Sequence, residues 1–172
     1  TGLEFVVLQD QSQIPSFPTT EQMWQNSLNG AIRLDSMIQT AGAETVFLQT
    51  WGRRNGDQDN AWRNPDFSTM QGHLESGYRL YAENLTTSER TAWIAPVGLA
   101  FQHIHDAILD GGNNPTASDS LFYSLYSSDG SHPSMRGSYL ASCVLFATLT
   151  GQSTVGLSAG TSGIQSSILL SL

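Results

Sequence analysis

The chain has 172 residues, 39% of them apolar, which suits one domain, 1–172, with a real core. Only 13% are charged, lysine is absent and the formal net charge is -8, so phosphate backbones are repelled and no nucleic-acid partner is expected. No apolar run reaches the roughly eighteen residues of a membrane span, and no basic-then-apolar leader opens the chain, so no membrane partner is expected.

Leu3 to Leu8 reads as a β-type run, continuous enough for a buried parallel strand. The polar turn from Gln9 to Pro18 follows, at the strand end where α/β folds place ligand contacts. A helix is predicted to open at Thr19 to Gln22, whose spacing suits a capping box, and to stop at Gly42. Trp24, Leu28, Ala31, Ile32, Met37 and Ile38 fall mostly at helical spacing along it. Thr45 to Thr50 reads as the next strand. The polar loop from Trp51 to Pro65 then carries Arg53, Arg54, Asp57, Asp59, Trp62 and Arg63. Its stretch from Asn55 to Asn60 approaches a calcium loop, but the first carboxylate, the turn glycine and the final glutamate are replaced, so no metal is expected.

Ser68 begins a second predicted helix, with Met70, Leu74, Tyr78 and Tyr81 at helical spacing. Asn84-Leu85-Thr86 fits the glycosylation sequon, which makes Asn84 a candidate modification site and hints at a secreted, extracellular glycoprotein. Thr91 to Ala95 is a third strand, Leu99 to Leu109 a third helix, and Asp110 to Pro115 a break. On that helix His103 and His105 point to different faces, so one surface and one packed histidine are expected rather than a metal pair. Ser118 to Tyr126 is a short helix or an extended approach. Strands alternating with helices imply right-handed crossovers and a parallel sheet covered on both faces: an α/β fold, a three-layer α/β/α sandwich.

Tyr126 to Tyr139 organises the rest. Ser128-Asp129-Gly130-Ser131 is a turn cluster and Pro133 disfavours helix at His132, so Asp129 and His132 share a loop. An aspartate that accepts from one imidazole nitrogen leaves the other free to take a proton from a hydroxyl nucleophile. The apolar stretch that follows reads as a buried helix, with Ser134 as N-cap and Gly151 as stop. Cys143 lies inside it, has no partner for an intrachain disulfide, and reads as a small buried hydrophobe. The segment 152–172 is rich in Ser and Gly and contains Gly156-Leu157-Ser158-Ala159-Gly160, but Gln152 to Val155 is a poor strand for a nucleophile elbow, so chance explains that match better. The stretch 163–172 regains an apolar pattern and reads as a helix or strand cut short.

Asp129-x-x-His132-Pro133 followed by Gly137-x-Tyr139-Leu140 resembles the last signature block of the SGNH, or GDSL-type, hydrolases. Phe5 to Gln13, Val46 to Arg54 and Ala95 to Gly98 resemble further stretches of one branch of that superfamily, in the same order. The resemblance implies a flavodoxin-like SGNH fold, with Asp129 orienting and His132 acting as general base. In that family the nucleophilic serine follows the first strand in a Gly-Asp-Ser or Gly-Asn-Ser turn, and this sequence has no such turn. Its Phe5 to Leu8 matches the family's third strand, so the resemblance implies that the N-terminal strands and the nucleophile lie outside this chain. Gln11 stands where the family has an oxyanion-hole asparagine. Its amide either serves as that donor, worth about 3 kcal/mol if correctly aimed, or bonds its own turn. Trp51, Arg53 and Arg54 either line a substrate pocket, suiting a sugar ring or a carboxylate, or form a solvated loop around one packed tryptophan.

The expected activity is ester hydrolysis, of the serine esterase or carbohydrate O-acetylesterase type, with an ester or acylated carbohydrate as substrate and no cofactor. A second chain completing the sheet, or a homo-oligomer, is an expected partner. The competing expectation is a non-catalytic extracellular structural or assembly protein that keeps the hydrolase fold.

Overall fold

The structure, a computed structural model, describes residues 2–156. Ser158 and the apolar pattern over 163–172 lie outside the described residues. Three parallel strands, β1 (Phe5–Leu8), β2 (Glu44–Leu48) and β3 (Trp93–Ala95), form a sheet in that order. Phe5 aligns with Glu44 and Leu8 with Phe47, while Val46 aligns with Trp93 and Leu48 with Ala95. Helix α1 (Gln22–Thr40) connects β1 to β2, and α2 (Phe67–Leu85) connects β2 to β3. After the sheet come α3 (Val97–Asp110), the single turn α4 (Leu121–Ser124) and α5 (Met135–Thr150).

Successive side chains on a strand leave opposite faces of the sheet, and β2 shows how this builds two cores. Phe47 joins Trp24 and Leu28 of α1 with Tyr78 and Tyr81 of α2. Its neighbour Leu48 packs on the other side, with Val97 and Phe101 of α3 and Leu140 of α5. The result is the expected α/β/α sandwich, and each fully buried large side chain contributes roughly 1.5–3 kcal/mol.

Local chemistry explains several of the helix ends. Ser134 caps α5 by accepting from the backbone N–H groups of Arg136 and Gly137, at 3.1 and 3.3 Å, and Gly151 ends it with φ 67°. Helix α2 starts one residue before the expected Ser68, because Asp66 caps it by accepting from Thr69 N at 2.8 Å. The capping box at Thr19 does not form: the helix begins at Gln22, so Glu21 precedes it with no side-chain cap, and the Thr19 carbonyl accepts from Gln25 Nε2 instead. β1 is also less buried than expected. Leu3 lies outside it and Val7 is 40% exposed, since among the described residues β1 pairs only with β2.

Two close approaches set the shape of the sheet's carboxyl edge. A Cβ on Gly77 would meet the Pro15 carbonyl oxygen at 1.9 Å, so α2 lies directly on the turn after β1. A Cβ on Gly98 would meet the Thr50 oxygen at 2.3 Å, so the first turn of α3 lies on the end of β2. At the opposite edge Asp35 of α1 takes Arg90 Nη1 at 2.8 Å on Oδ2, and both Arg90 Nη2 and the Thr45 hydroxyl on Oδ1. Burial, the strongest influence on the Asp35 carboxyl, pushes it up. The Arg90 and Thr45 hydrogen bonds with the Arg90 charge outweigh that and hold it below the usual carboxylate range.

Candidate active site

The loop from Ser127 to His132 is organised by one carboxylate. Asp129 Oδ1 accepts from the backbone N–H groups of Ser131 and His132 at 2.8 and 2.9 Å and from the Ser127 hydroxyl at 2.8 Å. Its other oxygen, Oδ2, lies 2.7 Å from His132 Nδ1. The hydrogen bond to the imidazole, first, and then the backbone donors hold the Asp129 carboxyl well below the usual range, so it is ionised and can only accept. Nδ1 therefore donates to it, and in the neutral form of the ring Nε2 keeps a lone pair. The His132 side chain is 81% exposed, so that lone pair faces solvent at the rim of the molecule.

A second segment, directly after β2, holds this loop in place. Trp51 Nε1 donates to Ser131 O at 3.1 Å, Arg54 N donates to Gly130 O at 2.8 Å, and the Tyr126 hydroxyl donates to Gly52 O at 2.7 Å. Gly130 has φ 69°, and a Cβ there would lie 3.1 Å from Arg54 Nη2, so the loop packs flat on that arginine. The Trp51 indole stacks parallel on Phe101, with centroids 4.8 Å apart and planes 8° apart. A stacked aromatic pair thus supports the loop that carries Asp129 and His132.

The third segment is the turn after β1. Asp10 anchors it: Oδ2 accepts from the Ser27 hydroxyl at 2.5 Å and the Tyr81 hydroxyl at 2.8 Å, and Oδ1 accepts from Gln11 N at 2.7 Å. The Tyr78 hydroxyl accepts from Asp10 N at 3.3 Å, and burial pushes this phenol up to about 12, so it stays neutral. These contacts place the Gln9–Ser12 turn beside Trp51 and His132. Gln9, Gln11, Trp51, Arg53 and His132 line a cleft of about 420 Å³ across the carboxyl ends of β1 and β2.

The structure brings His132, Gln11, Trp51 and Arg53 to one cleft, and Asp129 joins it through its bond to His132. Gln11 is there, but its amide is engaged with its own turn: Nε2 donates to Gln13 Oε1 at 2.7 Å and Oε1 accepts from Gln13 N at 2.8 Å. Arg54 does not line the cleft. It is buried, its guanidinium stacks 3.9 Å over the Tyr123 ring, and Gly130 covers it, so it supports the 127–132 loop from below. Sequence reasoning read Asp57 only as part of a failed calcium loop. It is fully buried and accepts from Arg53 Nη1 at 2.6 Å, Gln13 Nε2 at 2.7 Å and Asn60 Nδ2 at 2.8 Å. Burial pushes its carboxyl up most strongly, yet these partners together hold it below the usual range. The four-residue spacing from Arg53 to Asp57 was its one visible signal.

Away from the cleft, Asn84 is exposed on the last turn of α2 and donates to the Leu80 carbonyl at 2.8 Å, while the sequon's Thr86 hydroxyl accepts from Ala92 N at 3.1 Å. His103 is exposed, and His105 is buried against Phe67 and Phe122 with Nδ1 2.7 Å from Asp106 Oδ1. Cys143 is buried on α5. Among the described residues no group of His, Cys, Asp and Glu is placed to hold a metal ion, and no helix is long and apolar enough to cross a membrane.

No family model matches the sequence, and no curated protein matches it. Two solved structures are similar. One is described as "a putative SGNH hydrolase from Slackia heliotrinireducens", 26% identical, with a TM-score of 0.57 over 85% of this chain and 65% of that one. The other is a DUF4886 family protein from Bacteroides uniformis, 16% identical, with a TM-score of 0.67 over 94% of this chain and 56% of that one, a likeness of fold alone. The chain thus spans 65% and 56% of the lengths of these two neighbours. By its parallel sheet and flanking helices, and by its likeness to the Slackia structure, the chain has an SGNH-hydrolase-like fold.

Proposed function

We propose that the chain is the acid–base portion of an SGNH-type ester hydrolase, acting on an ester such as an O-acetyl group on a carbohydrate. The observation that carries this reading is the 2.7 Å contact between Asp129 Oδ2 and His132 Nδ1 at the mouth of a cleft on the carboxyl edge of a parallel sheet. With Nδ1 held by the carboxylate, Nε2 takes the proton of a serine hydroxyl as its oxygen bonds to the acyl carbon. When the carbon–oxygen bond to the alcohol breaks, the same proton passes to the leaving oxygen. Water then repeats the sequence on the acyl-serine and releases the acid. Gln11 can donate to the developing oxyanion once its amide leaves Gln13.

Among the described residues no serine hydroxyl hydrogen-bonds the His132 ring. The reading therefore takes the nucleophile from a segment beyond those residues, seated beside β1, whether from the same polypeptide or a second chain. That same lack favours the second reading, an extracellular assembly protein that keeps the fold without the chemistry. Hydrolysis of p-nitrophenyl acetate by the longest natural form of the protein decides between them. The His132→Ala form is expected to lose activity on the order of 10²-fold or more, whereas equal rates would end the hydrolase reading.

A further inference from the structure

Arg53 and Arg54 are adjacent in sequence and opposite in situation. Arg54 is committed to the protein, packed against Tyr123 under Gly130, whereas Arg53 is the one guanidinium lining the cleft among the described residues. Its Nη1 is bonded to Asp57. Its Nε is enclosed with no hydrogen-bond partner, and Nη2 has no partner among the described residues and is not enclosed. A guanidinium with one arm fixed and donors left over is a receptor for a second planar acceptor.

Asp57 keeps that receptor in place. Fully buried and bonded at its second oxygen to Gln13 and Asn60, it fixes the direction of Arg53 while sharing its own charge with two amides. Gln13 in turn holds Gln11, so one carboxylate positions both the cationic and the amide-bearing walls. Trp51 adds an apolar wall that cannot turn away, because Phe101 and Ser131 hold its ring.

We propose that Arg53 is the anion anchor of the cleft, positioned by Asp57, and that the ester processed at His132 carries a carboxylate. The open Nη2 can donate to a carboxylate oxygen in a charge-assisted hydrogen bond, and the chain's net charge of -8 leaves recognition of an anion to such a short contact. The inference rests on the hydrolase reading and narrows its substrate class.

Two p-nitrophenyl esters with the same leaving group test it: neutral p-nitrophenyl acetate and the singly charged p-nitrophenyl succinate. The succinate ester is expected to be favoured in kcat/KM, and Arg53→Gln to reduce that preference about tenfold, mainly through KM. Arg53→Lys should retain part of it, and Asp57→Asn should lower it less than Arg53→Gln. An unchanged ratio in Arg53→Gln, with hydrolysis of both esters still dependent on His132, overturns the anchor and leaves the hydrolase reading standing. If neither ester is hydrolysed in a His132-dependent way, the hydrolase reading fails, and succinate binding followed by NMR at the Trp51 indole N–H decides the anchor. Binding lost in Arg53→Gln supports it, and absence of binding by the unaltered chain overturns it.

Discussion

At the scale of the residue, Asp129 has two jobs that a substitution can separate. It closes the turn through Oδ1 and orients His132 through Oδ2. Asp129→Asn keeps acceptor capacity at one oxygen but replaces the other with an amide, which cannot accept from Nδ1–H. Activity on p-nitrophenyl acetate is expected to fall on the order of 10²–10⁴-fold. The thermal midpoint should move little, because Asp129 and His132 are themselves exposed. The carboxyl's depressed folded value also sets a sign. Its contribution to the loop is complete above the unfolded value of about 4 and is lost only as pH falls through the lower folded value. An NMR titration of the Asp129 carboxyl carbon should therefore show it still ionised near pH ~3.

At the scale of the element, glycines and one ion pair decide how the helices seat. Gly77→Ala would drive a methyl group into the Pro15 carbonyl, so α2 or the turn after β1 must move. We expect a loss of about 3 kcal/mol, the upper end of overpacking costs, in urea denaturation. The same shift would displace the Gln9–Ser12 turn from the cleft. The Asp35–Arg90 pair ties α1 to the approach to β3, with both side chains largely buried. Arg90→Leu is expected to cost about 2 kcal/mol, because it strands a carboxylate that also holds Thr45. Since Asp35 is held below the usual range, this stabilisation is present above the unfolded value and disappears as pH falls through the folded one. The unaltered chain should thus lose stability below about pH 4 more steeply than the Arg90→Leu form.

At the scale of the whole molecule, the cleft stands on the core beneath α3. Phe101 is fully buried, stacked under Trp51 and edge-on to Tyr126, with centroids 4.8 and 5.5 Å away. Phe101→Ala is expected to cost about 3–5 kcal/mol in chemical denaturation. It should also lower the proposed hydrolysis of p-nitrophenyl acetate in molecules that remain folded, because Trp51 and Tyr126 both hold the 127–132 loop. The milder Phe101→Leu separates the two effects: activity lost with stability nearly kept would show that ring stacking positions the site.

The order of strands and helices, the Ser134 and Gly151 ends of α5, and the meeting of Asp129 with His132 were legible in the sequence. Each depends on residues a few positions apart, where turn chemistry, capping and periodicity act. Local pattern could not tell Arg53 from Arg54, because adjacent side chains in one loop are sorted only by what packs against them. Nor could it place Asp57, whose bond to Gln13 spans 44 positions, or show that Trp51 holds the 127–132 loop across 80. The sequence by itself determined the order of the elements and the pairing of Asp129 with His132. Tertiary structure alone decided which donors face the cleft, since that follows from contacts between segments that are distant along the chain.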